Sequence, residues 1–359
     1  MIGLTLGTRP EIIKLAPVIQ ELRARGREHC VVHTNQHYDP ELDGRFFEEL
    51  ELPRPDVNLH IGSGPHGGQT GRMLEAIERA IAERGITQMI VEGDTNSALA
   101  GALAAVKASC RVAHVEAGLR SYDTRMPEEI NRRVIDHIAH DLFPPTATAR
   151  DVLAEESVPG RIHEPVGNTA VDSVLRCSPR PALPIAKRER RILLTLHRPE
   201  NVDSEETLRA ILSGVERVAR EHGLEIGFPA HPRTRKRMKE FGIDLSERFT
   251  ITAPQSFGAI LKLQSTARLV VTDSGGLQEE ACVLQTPCVV VRTHTDRPEA
   301  VAAGSAILAG VDEEGIVGAS SAMLSMRRID WPQPFGDGRA ARRIVDGLVS
   351  AEPAAMMAT

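Results

Sequence analysis

Thr272-Asp273-Ser274-Gly275-Gly276-Leu277-Gln278-Glu279-Glu280 follows an apolar run, Ala267-Arg268-Leu269-Val270-Val271, and leads into a helix-forming segment, Leu277 to Leu284. A strand that turns into a helix through glycines presents free backbone N–H groups at the positive end of that helix. Without Cβ atoms, Gly275 and Gly276 let a ligand approach the main chain. Two readings stand side by side: a phosphate cradle, or a tight connection in which Asp273 or Ser274 is the N-cap. A positive φ at Gly275 is a further expectation.

The same strand-then-helix pattern recurs along the chain. Apolar strand segments are Ile2–Leu6, Cys30–His33, Gln88–Val91, Arg111–Val115 and Asp141–Phe143, with helical patterns at Gly71–Arg84, Thr95–Lys107 and Glu129–His140. The second half repeats it: strands at Arg191–Leu196, Glu225–Phe228, Phe249–Thr252, Leu269–Thr272 and Pro287–Val291, helices at Glu205–Glu221, Phe257–Leu263 and Gly276–Leu284. Such alternation predicts an α/β fold of parallel sheets covered by helices. Three prolines within Cys177–Pro184 mark a linker. The expectation is two Rossmann-like doubly wound domains, residues 1–178 and 179–335, facing a central cleft. A last helical pattern within 336–359, Gly338 to Val349, crosses back to the first domain, and the tail Ala351–Thr359 frays.

The chain has 359 residues, enough for two ordinary domains. At 41% hydrophobic and 26% charged it has a globular balance. A net charge of −6 provides no field for nucleic acid or an anionic membrane, and 3% aromatics argue against base stacking. Five scattered cysteines without a CxxC pair read as reduced, mostly buried thiols. The N-terminus enters a strand with no signal peptide, and no run approaches the length that spans a bilayer, so a cytoplasmic protein is expected.

Chemistry-bearing residues gather at strand ends. Asp94 follows Gln88–Glu92, Glu116 follows Arg111–Val115, and Glu128 and Glu129 follow Pro127. Carboxylates from different strands that share a crevice perturb one another, as general acid/base work requires. The plainer readings are an N-cap for Asp94 and first-turn acids for Glu128 and Glu129. Arg9 and Lys14 lie near the start of a helix, where the dipole disfavours cations unless an anion sits there too. Leu196-His197-Arg198-Pro199-Glu200 mirrors Gly7-Thr8-Arg9-Pro10-Glu11, His231 follows another strand, and Arg297 adds a cation near the Ser274–Gly276 turn. This set suits a diphosphate better than a metal. His137 and His140 share a helix face, but with no HExxH and no third ligand nearby no metal site is expected. No GxGxxG follows a strand and no GxxxxGK[ST] occurs, so no nicotinamide cofactor or ATP hydrolysis is indicated.

The ordered set Gly7-Thr8-Arg9-Pro10-Glu11 with Lys14, Gln36-His37, Gly93-Asp94-Thr95, His114-Val115-Glu116-Ala117-Gly118-Leu119-Arg120, Pro127-Glu128-Glu129 with Asn131-Arg132, Gly167-Asn168-Thr169, His197-Arg198, Asp273 to Glu280 and Arg297-Pro298-Glu299 resembles the non-hydrolysing UDP-N-acetylglucosamine 2-epimerases. The resemblance implies a glycosyltransferase-B-like fold and cofactor-free interconversion of UDP-N-acetylglucosamine and UDP-N-acetylmannosamine. UDP is expelled from C1 while a base takes the C2 proton, and it adds back to 2-acetamidoglucal. It further implies Asp94, Glu116 and Glu128 as acid/base groups and His197 as a leaving-group contact. Arg9, Ser274, Gly275 and Gly276 are implied as diphosphate binders, Glu280 as a ribose hydroxyl acceptor, and Lys14, Arg132, Gln255 and Arg297 as further substrate contacts. A UDP-sugar is the implied partner, in a homodimer serving cell-surface polysaccharide biosynthesis, with Gln36 and His37 near an activator site of bacterial members. The chain departs from the family pattern at Asn35, Asp39, Gly68, the Arg198–Asn201 segment and His294. Three alternatives remain: an epimerase of a modified sugar such as a 2,3-diacetamido uronic acid, a glycosyltransferase of the same architecture, and a nucleotide-sugar-binding regulator.

Overall fold

The computed structural model describes residues 1–36, 40–178, 183–326 and 329–350. His37, Asp39, Pro179–Ala182 of the expected linker, and the tail from Ala351 lie outside the described residues. Two compact units emerge: Met1–Ser173 together with the segment from Phe335, and Val174–Pro334.

The first unit opens with β1 (Ile2–Leu6), α1 (Arg9–Ala24), β2 (His29–His33), α2 (Pro40–Glu49) and β3 (Val57–Asn58). It continues through α3 (His66–Arg84), β4 (Gln88–Glu92), α4 (Asn96–Lys107), β5 (Arg111–Val115) and α5 (Pro127–Ile138). β6 (Asp141–Phe143), α6 (Ala147–Glu155) and β7 (Arg161–Ile162) follow, and the boundary between the units falls within α7 (Thr169–Cys177). Its strands pair in parallel in the order β3-β2-β1-β4-β5-β6-β7. Because helices cover the sheet, strand interiors are apolar without alternation: Met89, Ile90 and Val91 of β4 are all buried. Met73 and Ile77 of α3 and Ala98 and Ala102 of α4 complete that core.

The second unit runs β8 (Glu189–Thr195), α8 (Pro199–Val202), α9 (Glu205–His222), β9 (Glu225–Pro229), α10 (Pro232–Glu240) and β10 (Phe249–Thr252). Then come α11 (Phe257–Thr266), β11 (Ala267–Thr272), α12 (Gly275–Val283), β12 (Cys288–Val290), α13 (Pro298–Ala302), β13 (Ala306–Leu308) and α14 (Glu313–Leu324). The strand order is β10-β9-β8-β11-β12-β13, again parallel. Ile192, Leu194, Phe228, Leu269 and Val271 form its core with Leu208 and Ile211 of α9, each such side chain contributing roughly 1.5–3 kcal/mol of burial. The final helix, α15 (Ala340–Ser350), belongs to the first unit, where Arg25 after α1 pairs with Asp346 at 2.6 Å.

Strand order reverses between β1 and β4 in one unit and between β8 and β11 in the other. Ligands of open α/β sheets bind at the carboxyl ends of such strands. The turns that leave β1, β4, β8 and β11 carry Arg9, Asp94, His197 and Ser274.

Two helix bounds shift for local reasons. The Glu129–His140 pattern forms as Pro127–Ile138, because Pro127 suits the first turn and Ala139 turns extended at ψ 143°. The Gly71–Arg84 pattern begins five residues earlier, at His66, after Pro65 in an extended conformation.

Candidate active site

In the first unit, Gly93 takes φ 68° so that the chain can turn sharply after β4 and present Asp94. The Asp94 carboxylate pairs with Arg132 of α5, and its carbonyl accepts from Asn131 Nδ2 at 2.9 Å. The neighbouring Gly93 carbonyl accepts from His114 Nε2 at 2.8 Å. Glu129 is fully buried and accepts from the Ser121 amide and from Arg133. Burial alone would raise its carboxyl, but those bonds and the Arg132 charge outweigh it and hold it low. Glu129 is thus a structural anchor of α5, while Glu128 is a half-buried first-turn residue.

Glu116 sits one position past β5 at φ 66°, a left-handed conformation that costs a non-glycine residue on the order of 1–3 kcal/mol. Its Oε2 lies 2.6 Å from Lys14 Nζ and accepts from Asn168 Nδ2 at 3.2 Å. Lys14, expected to touch substrate, also reaches Glu92 Oε1 at 3.0 Å. Glu92 is buried at the end of β4. Its carboxyl is pushed well above the usual range by burial, with Glu116 adding to the rise and Lys14 opposing it. Lys14 thus bridges a carboxylate at the end of β4 and one just past β5. Glu92 escaped the sequence reading because it closes an otherwise apolar strand.

Arg9 lies over the Phe46 ring at 4.7 Å. A Cβ on Gly7 would fall 2.0 Å from Thr34 Oγ1 and 2.2 Å from Ser97 Oγ, so only glycine permits this approach. Gln36 joins the same contact: its Oε1 accepts from the Ser97 amide at 3.0 Å and hydroxyl at 2.8 Å. Buried Glu11, also outside the expected set, accepts from Thr95 Oγ1 at 2.6 Å and from the Thr8 amide at 2.8 Å. Burial is the largest influence on Glu11 and raises its carboxyl to about 7 against four hydrogen bonds that lower it.

In the second unit, Ser274 is the N-cap of α12, its Oγ accepting from the Leu277 amide at 3.4 Å. Asp273 has a different task. Fully buried, it accepts from the His197 and Arg198 amides at 3.0 Å each and from Asn201 Nδ2 at 3.2 Å. His197 Nδ1 lies 3.0 Å from the same carboxylate, which aligns the half-exposed imidazole. Burial would raise the Asp273 carboxyl, but His197 and the two amides outweigh it and hold it low.

The positive φ expected at Gly275 is not found; Gly275 and Gly276 are not among the left-handed glycines, because both already lie within the first helical turn. A Cβ on Gly275 would stand 3.2 Å from Asp296 Oδ1, whereas one on Gly276 would meet nothing closer than Ser274 Oγ at 3.8 Å. Asp296 pairs with Arg292 at 2.9 Å and with Arg297 at 3.4 Å. Arg297 also pairs with Glu279. Glu280 accepts from Gln264, and burial raises its carboxyl to about 8 despite that bond. Gln255 donates to the Ala253 carbonyl at 2.7 Å.

The His137 and His140 rings face backbone groups, Arg133 O at 2.8 Å and the Val112 amide at 3.1 Å. Among the described residues, no group of three or more His, Cys, Asp or Glu side chains could hold a metal ion. Nor is any described helix long and apolar enough to cross a membrane.

The family model of UDP-N-acetylglucosamine 2-epimerase matches residues 20–349. The chain belongs to this family. A UDP-N-acetylglucosamine 2-epimerase of Methanococcus maripaludis is 45% identical over 96% of this chain and 97% of its own. The solved structure of Methanocaldococcus jannaschii UDP-GlcNAc 2-epimerase in complex with UDP-GlcNAc and UDP is 44% identical, with a TM-score of 0.87 over 97% of this chain and 99% of that one. A UDP-2,3-diacetamido-2,3-dideoxy-D-glucuronate 2-epimerase of Pseudomonas aeruginosa is 38% identical over 96% of this chain and 98% of its own. As in this isomerase family, the chain has a glycosyltransferase-B-like pair of parallel-sheet α/β units.

Proposed function

We propose that this chain interconverts UDP-N-acetylglucosamine and UDP-N-acetylmannosamine by elimination and re-addition of UDP. The C2 proton of the pyranose has no adjacent carbonyl and is not acidic, so C2–H cleavage must be coupled to departure of the C1 substituent. A carboxylate takes the C2 proton as the C1–O bond breaks on the opposite face, which leaves 2-acetamidoglucal and UDP. UDP oxygen then re-forms the C1 bond while a proton is delivered to the other face of C2.

The observation that carries this reading is the set of carboxylates at neighbouring strand ends: Asp94 after β4, and Glu116 after β5 with Glu92 and Lys14 against it. Proton transfer on two faces needs more than one acid/base group. Glu128 is assigned to the same set from the family motif. The second unit is assigned the UDP: the α12 N-terminus at Ser274–Gly276, Arg297, and His197 aligned by Asp273, which leaves Nε2 for a phosphate oxygen. Arg9, Lys14, Arg132, Gln255 and Glu280 are assigned to substrate contacts. The work is done without a cofactor, in a cytoplasmic homodimer.

Incubation of the protein with UDP-N-acetylglucosamine in D2O, read by NMR, tests the reading. Deuterium should appear at C2 of both epimers. A mannosamine product that keeps its C2 protium would overturn elimination–addition. Turnover of only a 2,3-diacetamido uronic acid derivative would move the substrate to the modified sugar, and turnover only with an acceptor would make the protein a transferase.

A further inference from the structure

Glu11 uses its two carboxylate oxygens for different things. Oε2 accepts from the Gly7 amide at 3.0 Å, the Thr8 amide at 2.8 Å and the Thr8 hydroxyl at 2.8 Å, which is the work of an N-cap partner for α1. Oε1 reaches out of that cap to the Thr95 hydroxyl at 2.6 Å. A helix cap does not require the second bond, and burying a carboxylate completely is costly unless its oxygens are used. Thr95 follows Asp94 directly, and its Oγ1 also accepts from the Ala98 amide at 3.0 Å, so it caps α4. One hydroxyl therefore joins the turn after β1, the turn after β4 and the start of α4. On the other side of the turn, His114 and Asn131 hold the Gly93 and Asp94 carbonyls.

We propose that Thr95 and Glu11 are positioning residues for the acid/base step: the Glu11–Thr95 hydrogen bond fixes the turn from which Asp94 reaches the substrate. The inference rests on Asp94 being an acid/base group. Neither residue needs to touch the sugar. The bond sets where the Asp94 carboxylate stands, and proton transfer is sensitive to displacements of about 1 Å.

Thr95→Val keeps the shape and removes the hydroxyl, and Thr95→Ser restores it. With UDP-N-acetylglucosamine as substrate, kcat of Thr95→Val should fall by roughly tenfold to a hundredfold. UDP affinity by calorimetry should be unchanged, and Thr95→Ser should turn over within about threefold of the unmodified protein. The double variant Asp94→Asn/Thr95→Val should be no slower than Asp94→Asn, because a residue acting through Asp94 has nothing left to position. An unchanged kcat in Thr95→Val, an equal loss in Thr95→Ser, or additive losses in the double variant would overturn the inference. Full turnover in Asp94→Asn alone would instead remove the acid/base assignment on which it stands.

Discussion

Lys14 Nζ stands 2.6 Å from Glu116 Oε2, a cation of α1 set against a carboxylate held in left-handed backbone past β5. Glu92 Oε1 lies 3.0 Å from the same ammonium, in a mostly buried setting. Lys14→Met should lower turnover by at least roughly tenfold, because the ammonium that opposes the raised carboxyl of Glu92 would be lost. The acid limb of the kcat/KM profile should move to higher pH. A profile that keeps its shape and position would separate Lys14 from the acid/base group.

Asp94→Asn, Glu116→Gln and Glu128→Gln should each reduce turnover by roughly two orders of magnitude while UDP binding is kept. Steady-state kinetics with calorimetric titration of UDP measures both. Near-normal turnover in any one would release that residue from the set.

The α12 glycines can be told apart. Gly276→Ala meets only Ser274 Oγ at 3.8 Å, and in a helical position the added methyl should hold stability or raise it by up to about 1 kcal/mol. Gly275→Ala presses on Asp296 at 3.2 Å. If backbone N–H groups cradle the diphosphate, UDP affinity should fall in Gly275→Ala while the melting temperature changes little. Unchanged affinity in the folded Gly275→Ala protein would leave the turn as a strand–helix connection only.

Glu280 and Glu11 make stability fall with rising pH. Both carboxyls are raised in the folded state, to about 8 and about 7, above the unfolded value of 4.5. The folded protein therefore binds more protons than the unfolded chain across that window. Their contribution is fully present below about pH 4.5 and lost as pH rises toward 8. Urea melts at pH 5, 6.5 and 8 should show decreasing stability, with a shallower slope in Glu280→Gln. A Glu280→Gln slope equal to that of the unmodified protein would show that Glu280 does not titrate in this range.

His197→Asn should lower turnover by roughly a hundredfold, and Asp273→Asn should do the same by releasing the imidazole. The two losses should not add in the double variant, since Asp273 acts on chemistry only through His197. Additive losses would assign Asp273 a separate role.

Local pattern alone determined the α/β class. Apolar runs such as Ile2–Leu6 and Arg111–Val115, alternating with helical periodicity, favour parallel strands buried beneath helices. The turn residues after those strands, Arg9, Asp94, His197 and Ser274, were legible too, because Gly, Pro and charge break an apolar pattern visibly. Pairing across the fold was not legible. Lys14 and Glu116 are 102 residues apart, Glu11 and Thr95 84, and His197 and Asp273 about as far, so no local rule joins them. Asp273 stood only as one of two possible helix caps, with Ser274, because sequence shows its neighbours along the chain, whereas the sheet order sets β8 beside β11 and makes it the partner of His197. Gly275 read as a φ requirement, yet its helical backbone would suit other residues, and the carboxylate that crowds it comes from beyond β12. Residue type and spacing limit what each group can do; which groups do it together depends on strand order, burial and the charges that burial forces into contact.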